Sequence, residues 1–574
     1  MSEQRRHRFF TDSICYLLAV VTLGVLHAQP TRAALTTTKI IAASGQTAPD
    51  GDGSFRFAAS GALNSVYLPT LNQAGEVAFL GLQTNSSGGI FTSDANGQLT
   101  QIARRGTPAP DVNGSFWFFS NPSLNDAGEV AFYSVLEGTS NDSGSEFGIF
   151  RSEGSGNLAR VVRAGDAAPD GNGIFYDGSR QIVGSPAINS TGQIAFHGFL
   201  SDTSGLSQTD GFVNDFSGVF LSNGSEPPLQ IARAGGNSPD GNGRFESFFP
   251  DNPRAALALN DAGEVAFYAA LDDTVHSTFG GAIYDDTGIF LGDGLGNLVQ
   301  IARGGDPVPD GNGNFAGLGL SSSRTNGDMA LNSEGQVAFV ALQIGTRGGS
   351  RDNSGIFLGD GVNLMQIARQ GEPVPDGSGV FASFTQITKS FVTLNDQGQV
   401  AFYSDILNSS GNSSIGSGVF RGDGLTSPIQ IVRSGEQAPG GNGSFTNFGP
   451  LVALNNQGQI AFQAELLGTS GGSSDDLGIF LHDEVMGLIQ IVREGDDLLG
   501  SSITFLQFLA NESIGSRGST KEHIGLNDRG QLVYRFGLAD GRGGIAVATI
   551  VPEPGTAALS TLVLLAMTCR RQPR

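Results

Sequence analysis

Between residues 38 and 550 the chain alternates apolar and polar positions with the period of β-strands. In GEVAFYA, Val265, Phe267 and Ala269 share one face. GIFL and LVQIAR are short β-branched or aromatic runs bounded by Gly and Asp. No stretch of this body carries a long helical pattern. Before each Leu-Asn lies a further apolar run, such as FWFFSNPSLN at residues 116–125.

Three signatures alternate along the body. The first, LNDAGEVAF at residues 124–132, has its asparagine repeated at Asn72, Asn125, Asn189, Asn260, Asn332, Asn395, Asn455 and Asn527, 53 to 72 residues apart. The second is Gly-Ile/Val-Phe, from Gly89 to Gly478, with an eroded eighth copy, GIAVA, at Gly544. The third is IARxG followed by PDGNGxF, as in IARGGDPVPDGNGNF at residues 301–315. Each unit therefore offers four strands. In Asn-x-x-Gly, the Asn bonds its own backbone two residues on and the Gly takes positive φ, which makes a hairpin of the first two strands.

Four antiparallel strands repeated eight times predict an all-β, eight-bladed β-propeller. The body opens on a fourth-type strand, TKIIAASG, and ends on the first three types. The N-terminal strand can thus complete the last blade and remove two exposed edges. The alternatives are another blade count or an open array.

Composition narrows the partners. Net charge is −23, with 55 acids against 32 Lys and Arg, which argues against nucleic acid. The 85 glycines recur at fixed places, as turn residues do. Both cysteines, Cys15 and Cys569, lie in the terminal segments, so the body has no thiol chemistry.

The ends read as addresses. Arg-Arg-His-Arg at residues 5–8, the apolar run of residues 14–26 and the small residues Ala28, Ala33 and Ala34 have the order of a secretory signal peptide, placed at residues 1–33. Thirteen helical residues span about 20 Å, too short for a bilayer core of about 30 Å. The last segment, residues 551–574, has the triplet Pro552, Glu553, Pro554, an apolar stretch, then Arg570 and Arg571. It resembles the PEP-CTERM sorting signal. That resemblance implies an exosortase-type partner, membrane contact only through this tail before processing, and a place at the surface or in the matrix of a Gram-negative-type bacterium.

The repeat resembles the NxxGxxAF tandem-repeat, choice-of-anchor surface proteins. Asn125, Gly128, Ala131 and Phe132 match that spacing, while Val533 and Tyr534 depart from it in the last copy. The resemblance implies a surface protein with an interchangeable anchor and brings no activity.

Candidate chemistry is sparse. Connections between second and third strands and between fourth and first strands share one face of the ring. The former vary most: ten residues from Phe79 to Gly89, but 22 from Phe196 to Gly218 and 21 from Phe267 to Gly288. Their acids, Asp202, Asp210, Asp215, Asp272, Asp273, Asp285 and Asp286, with Tyr284 and Phe279 for stacking, make a candidate ligand edge.

PDGNG places oxygen ligands at Asp50, Asp52, Asp170, Asn172, Asp240, Asn242, Asp310 and Asn312, a pattern open to calcium. A complete twelve-residue calcium loop is not present, since its last position falls on Gly61 or Ser321. A plain turn leading into the next blade is the other reading, and no cofactor is required. The repeated arginine (Arg104 to Arg493) pairs with a nearby carboxylate, such as Asp306 or Asp310 for Arg303. The body's histidines, His197, His276, His482 and His523, show no metal or catalytic spacing.

The preferred expectation is a secreted, non-catalytic propeller that binds or organises extracellular polysaccharide. The rivals are a lyase or hydrolase with carboxylates in the channel, and a purely structural coat protein.

Overall fold

The computed structural model describes residues 34–59, 69–84, 88–140, 145–152, 157–176, 185–204, 215–224, 227–248, 257–274, 278–279, 282–283, 285–316, 318, 329–385, 392–508, 519–520 and 525–552. Thr36–Asp483 and Leu488–Ile550 form one compact unit. Of the other unit, Met1–Leu35, Glu484–Gly487 and Val551–Arg574, only strand ends and one turn are described. The expected signal peptide at 1–33 and the sorting residues Glu553, Pro554, Arg570 and Arg571 lie outside the described residues. Among the described residues no helix is long and apolar enough to cross a membrane.

The compact unit is an eight-bladed β-propeller. Each blade is an antiparallel sheet of four strands, A to D from the inner edge outward. In the second blade, strand A is Ser115–Phe119 with Ser123–Leu124, B is Val130–Glu137, C is Ser145–Ser152 and D is Leu158–Arg163. Strand A is split in most blades but continuous in the seventh, as Ser444–Leu454. In the eighth blade, A, B and C are Ser501–Phe508, Gln531–Leu538 and Gly543–Pro552. Strand D there is the N-terminal Ala34–Ala43. The expected closure by the first strand is what the sheet order shows.

Alternation along strand B serves two interfaces. Val265, Phe267 and Ala269 pack in a core shared with the third blade, while Ala266 and Tyr268 pack in one shared with the fifth. Both faces of an inner blade are covered, so both sets of side chains are apolar.

Seven blades share an aromatic triad. Phe132 of strand B lies opposite Phe150 of strand C, stacked at 5.8 Å. Phe116 of strand A meets Phe150 edge-on at 5.0 Å. The edge-on distance stays at 4.9–5.0 Å around the ring, as with Phe55 and Phe91 or Phe445 and Phe480. Glycine precedes Phe150 by two residues because a Cβ on Gly148 would lie 2.7 Å from that ring. In the closing blade Tyr534 lies opposite Ala546, and Ile503 stands on strand A, so a larger ring on B accompanies the missing ring on C.

The repeated asparagine builds the inner belt. Asn125 Oδ1 accepts the backbone N–H groups of Ala127 and Glu129, which shapes the expected turn. Its Nδ2 donates to Glu129 and also to the main-chain oxygen of Asn189 in the next blade, at 2.8 Å. The same interblade bond runs from Asn72 to Asn125, Asn189 to Asn260, Asn260 to Asn332, Asn332 to Asn395, Asn395 to Asn455, Asn455 to Asn527 and Asn527 back to Asn72, at 2.9–3.2 Å. All eight asparagines are buried.

The residue after each asparagine alternates between neutral and acidic: Gln73, Asp126, Ser190, Asp261, Ser333, Asp396, Asn456, Asp528. Each acid accepts the backbone N–H of its neutral predecessor, as Asp126 does from Gln73 at 2.7 Å. Alternation keeps like charges off adjacent blades, where they would repel.

One element was not foreseen. Ser519–Thr520, from the connection between strands A and B of the eighth blade, adds in parallel to Leu257–Leu259 on the inner edge of the fourth.

Candidate functional site

The D-to-A turns and the B-to-C loops meet at one end of the blades, as expected. The PDGNG segment is the D-to-A turn, and its asparagine holds the B-to-C loop. Asn172 Nδ2 donates to Asp215 Oδ2 at 2.7 Å, and Asn172 Oδ1 accepts the Ser204 N–H at 2.6 Å. Asn242 and Asn312 bind Asp285 and Asp352 in the same way.

The repeated arginine completes this belt with a partner other than the one expected. Arg303 pairs with Asp240 at 2.7 Å, not with Asp310, and Asp310 pairs with Arg369 at 2.8 Å. Arg303 also donates to the main-chain oxygens of Asn242 and Asp285, at 2.6 and 2.9 Å. Each arginine thus ties the outer strand of a blade to the turn that opens that same blade. Sequence proximity pointed to Asp306 and Asp310, but the blade brings together groups about 60 residues apart.

Asp50 and Asp52 pair with Arg104, and Asp170 with Arg233. The acids considered for calcium are therefore engaged with guanidinium groups. Among the described residues no group of three His, Cys, Asp or Glu is placed to hold a metal ion. Burial pushes the Asp240 carboxyl up, yet hydrogen bonds from Ser238 and the Asn242 N–H, with the Arg303 charge, bring it below its ordinary value. In the eighth blade the arginine is replaced by Ala43 and the opening turn has no PDGNG, so both halves of the contact are missing together.

The long-loop acids divide into two sets. Asp215 and Asp285 are buried, and accept hydrogen bonds from Thr203 and Thr274. Asp202, Asp272, Asp273 and Asp286 are exposed. Asp202 and Asp273 both have φ of 55°, at the position that Gly138, Gly345 and Gly468 fill in other blades. Asp210 and Tyr284 lie outside the described residues, as does the side chain of Phe279.

An open cleft of about 660 Å³ lies at this end between the fifth and sixth blades, against Asp310, Asp352, Arg369 and Glu372. Burial raises the Glu372 carboxyl, with Asp310 adding to the rise and Arg369 opposing it. Glu372 accepts from Gln366 and from the Arg369 N–H, so the cleft wall is the same structural belt.

Chemistry that differs between blades sits one residue past the buried phenylalanine of strand A. A register shift marks this position in the second, fourth, seventh and eighth blades, as between Phe116 and Phe118 or Phe245 and Ser247. A bulge residue leaves the ladder and is free to point outward. Around the ring the position holds Arg56, Trp117, Tyr176, Glu246, Ala316, Ala382, Thr446 and Thr504. The first four are large and exposed; Ala316 is small and half-buried, and Ala382 small and buried. Trp117, the only tryptophan of the chain, is 46% exposed and Tyr176 is 49% exposed. Phe118 and Phe216 are exposed near them, and Phe216 stacks on Phe199.

The guanidinium of Arg105 lies over the Trp117 ring at 3.4 Å from its centre. Trp117 was read from sequence only as part of the apolar run 116–125, and Tyr176 was not singled out. Aligning the PDGNGxF units shows that the residue after Phe is large only in the first four of them, Arg56, Trp117, Tyr176 and Glu246.

A closed propeller with one chemically distinct arc on its rim is the class of protein that this geometry defines. The chain belongs to the family described as "Family of unknown function (DUF7453)", whose sequence profile matches residues 23–212, 203–436 and 429–558. No curated protein matches it in sequence. Among solved structures it is similar to a puromycin hydrolase at 11% identity and TM-score 0.36, over 85% of this chain and 61% of that one. It is also similar to the Penicillium chrysogenum α-L-arabinanase complexed with arabinobiose, at 9% identity and TM-score 0.28, over 80% of this chain and 100% of that one. The SapL1 lectin in complex with α-methyl fucoside matches at 9% identity and TM-score 0.26, over 64% and 95% of the two chains.

Proposed function

We propose that this protein is a secreted, cell-surface-associated propeller that binds or organises extracellular polysaccharide without catalysis. One observation carries the reading: the exposed aromatics Trp117 and Tyr176 stand at the same place, one residue past the buried phenylalanine of strand A, in adjacent blades of an otherwise repetitive ring. Aromatic faces bury the C–H surface of a sugar ring, and a rigid strand presents them at little entropic cost. The exposed acids Asp202, Asp272 and Asp273 belong to the B-to-C loops at the same end, in the third and fourth blades. The residues Pro552, Glu553, Pro554, Arg570 and Arg571 would deliver the protein to an exosortase-type enzyme.

The test is binding of the full chain to native exopolysaccharide, read by the intrinsic fluorescence of Trp117. Tyr176→Ala is expected to weaken binding about tenfold. No binding to any cell-surface polymer would sink the reading.

A catalytic reading has one observation in its favour. Burial, and then the neighbouring charge of Asp476, push the Glu494 carboxyl up to about 7, the range suited to a general acid. Shortening of polysaccharide chains by the wild-type protein, abolished in Glu494→Gln, would favour it.

A further inference from the structure

We infer that the polysaccharide is an anionic one, whose acidic groups are received by Arg105 and Arg56 beside Trp117; this rests on the binding reading above. The chain carries −23 net charge, and its repeated arginines spend their charge on aspartates of the opening turns. Arg105 and Arg56 are different. Among the described residues neither makes an ion pair. Arg56 is exposed one residue past the buried Phe55 of the first blade, and Arg105 is half-buried on the turn that opens the second. Two cations in neighbouring blades with no carboxylate partner among the described residues offer a local site for anions on an acidic protein.

Stacking explains what Arg105 can still do. A guanidinium lying flat on an indole spends its face on the ring, and the cation is attracted by the ring's quadrupole. Its N–H donors point outward in the plane, so the fork that matches a carboxylate or sulfate remains open. The indole in turn fixes the guanidinium, which lowers the ordering cost of binding. Arg56, Trp117 and Tyr176 stand at one register position of three consecutive blades. A chain of acidic sugars laid along that arc meets a cation, then a ring with a second cation on it, then another ring. The small Ala316 and Ala382 on the far side offer neither, so the site is polar in direction as well as in chemistry.

The experiment titrates the full chain with polygalacturonate, its methyl ester, dextran sulfate and neutral dextran, reading Trp117 fluorescence. The methyl ester keeps the sugar backbone and masks the carboxylates. Binding to polygalacturonate or dextran sulfate is expected at least about tenfold tighter than to the ester and to dextran, since charge-assisted bidentate pairs are the strong ones. Which of the two acids binds tells carboxylate from sulfate. Binding should weaken with added salt. Arg105→Gln and Arg56→Gln should each remove most of the preference. Arg56 is exposed, so its variant keeps the inference testable if Arg105→Gln disturbs the turn.

Equal binding of acidic and neutral polymers, insensitive to salt, overturns the inference and leaves the binding reading standing. Binding to neither acid also overturns it. If native exopolysaccharide fails to bind as well, the binding reading falls with it.

Discussion

Asn527 Nδ2 donates to the main-chain oxygen of Asn72 at 2.9 Å, across 455 residues of sequence. This bond turns a row of eight asparagine contacts into a circle. Asn527→Asp is nearly isosteric. Its remaining oxygen still accepts the N–H groups of Arg529 and Gln531, so the turn survives. The new oxygen would face the Asn72 carbonyl and Gln531 Oε1 with no hydrogen to offer. We expect a loss of about 1–3 kcal/mol, the cost of unpaired buried groups. A urea midpoint equal to that of wild type would show that closure does not depend on the circle.

Gly128 and Gly165 separate two reasons for a glycine. Gly128 has φ of 77°, and a Cβ there would lie 2.9 Å from Glu76 Oε2 of the preceding blade. Gly165 has φ of 91° and open space around it. Gly165→Ala should cost only the backbone strain, about 1 kcal/mol. Gly128→Ala should cost more, because the Glu76 carboxylate must also shift from its hydrogen bond with Asn72. Equal losses in thermal or chemical unfolding would rule out the interblade contact as a reason for that glycine.

Arg303 is 2% exposed and Asp240 about a third exposed. Arg303→Met should destabilise by about 2–3 kcal/mol, less than for a wholly buried pair. The Asp240 carboxyl is held below its ordinary 3.8, so its contribution is present above that pH and is lost as pH falls through the lower folded value. Asp240→Asn should therefore lower stability at pH 7 and make little difference at the acid end of the titration. A constant difference between the two proteins across that range would contradict the assignment.

Glu494 works in the opposite sense. Its carboxyl is raised to about 7 from an ordinary 4.5, so folding prefers it protonated. Stability from this group is full below about pH 4.5 and declines as pH rises towards 7. Glu494→Gln should be more stable than wild type at pH 8, with the advantage vanishing near pH 4. Unfolding curves at the two pH values check this. An advantage of the same size at both would place the shift elsewhere.

The sequence by itself determined the blade. Strand periodicity, the Asn-x-x-Gly turn and the eightfold count followed from local chemistry, because a strand's faces and a turn's φ values are set by neighbouring residues. The offset of the first strand even disclosed how the ring closes. Only the tertiary structure decided which unit each side chain addresses. Asn125 reaches Asn189, and Arg303 reaches Asp240 rather than Asp310, because a sheet lays strands from distant sequence side by side. The same holds for the site. The PDGNG acids became partners of arginines, and the long-loop acids Asp215 and Asp285 became anchors. Trp117 emerged as a surface residue because strand A bulges where it stands. A bulge is a property of the paired ladder, so an isolated stretch of sequence does not reveal it.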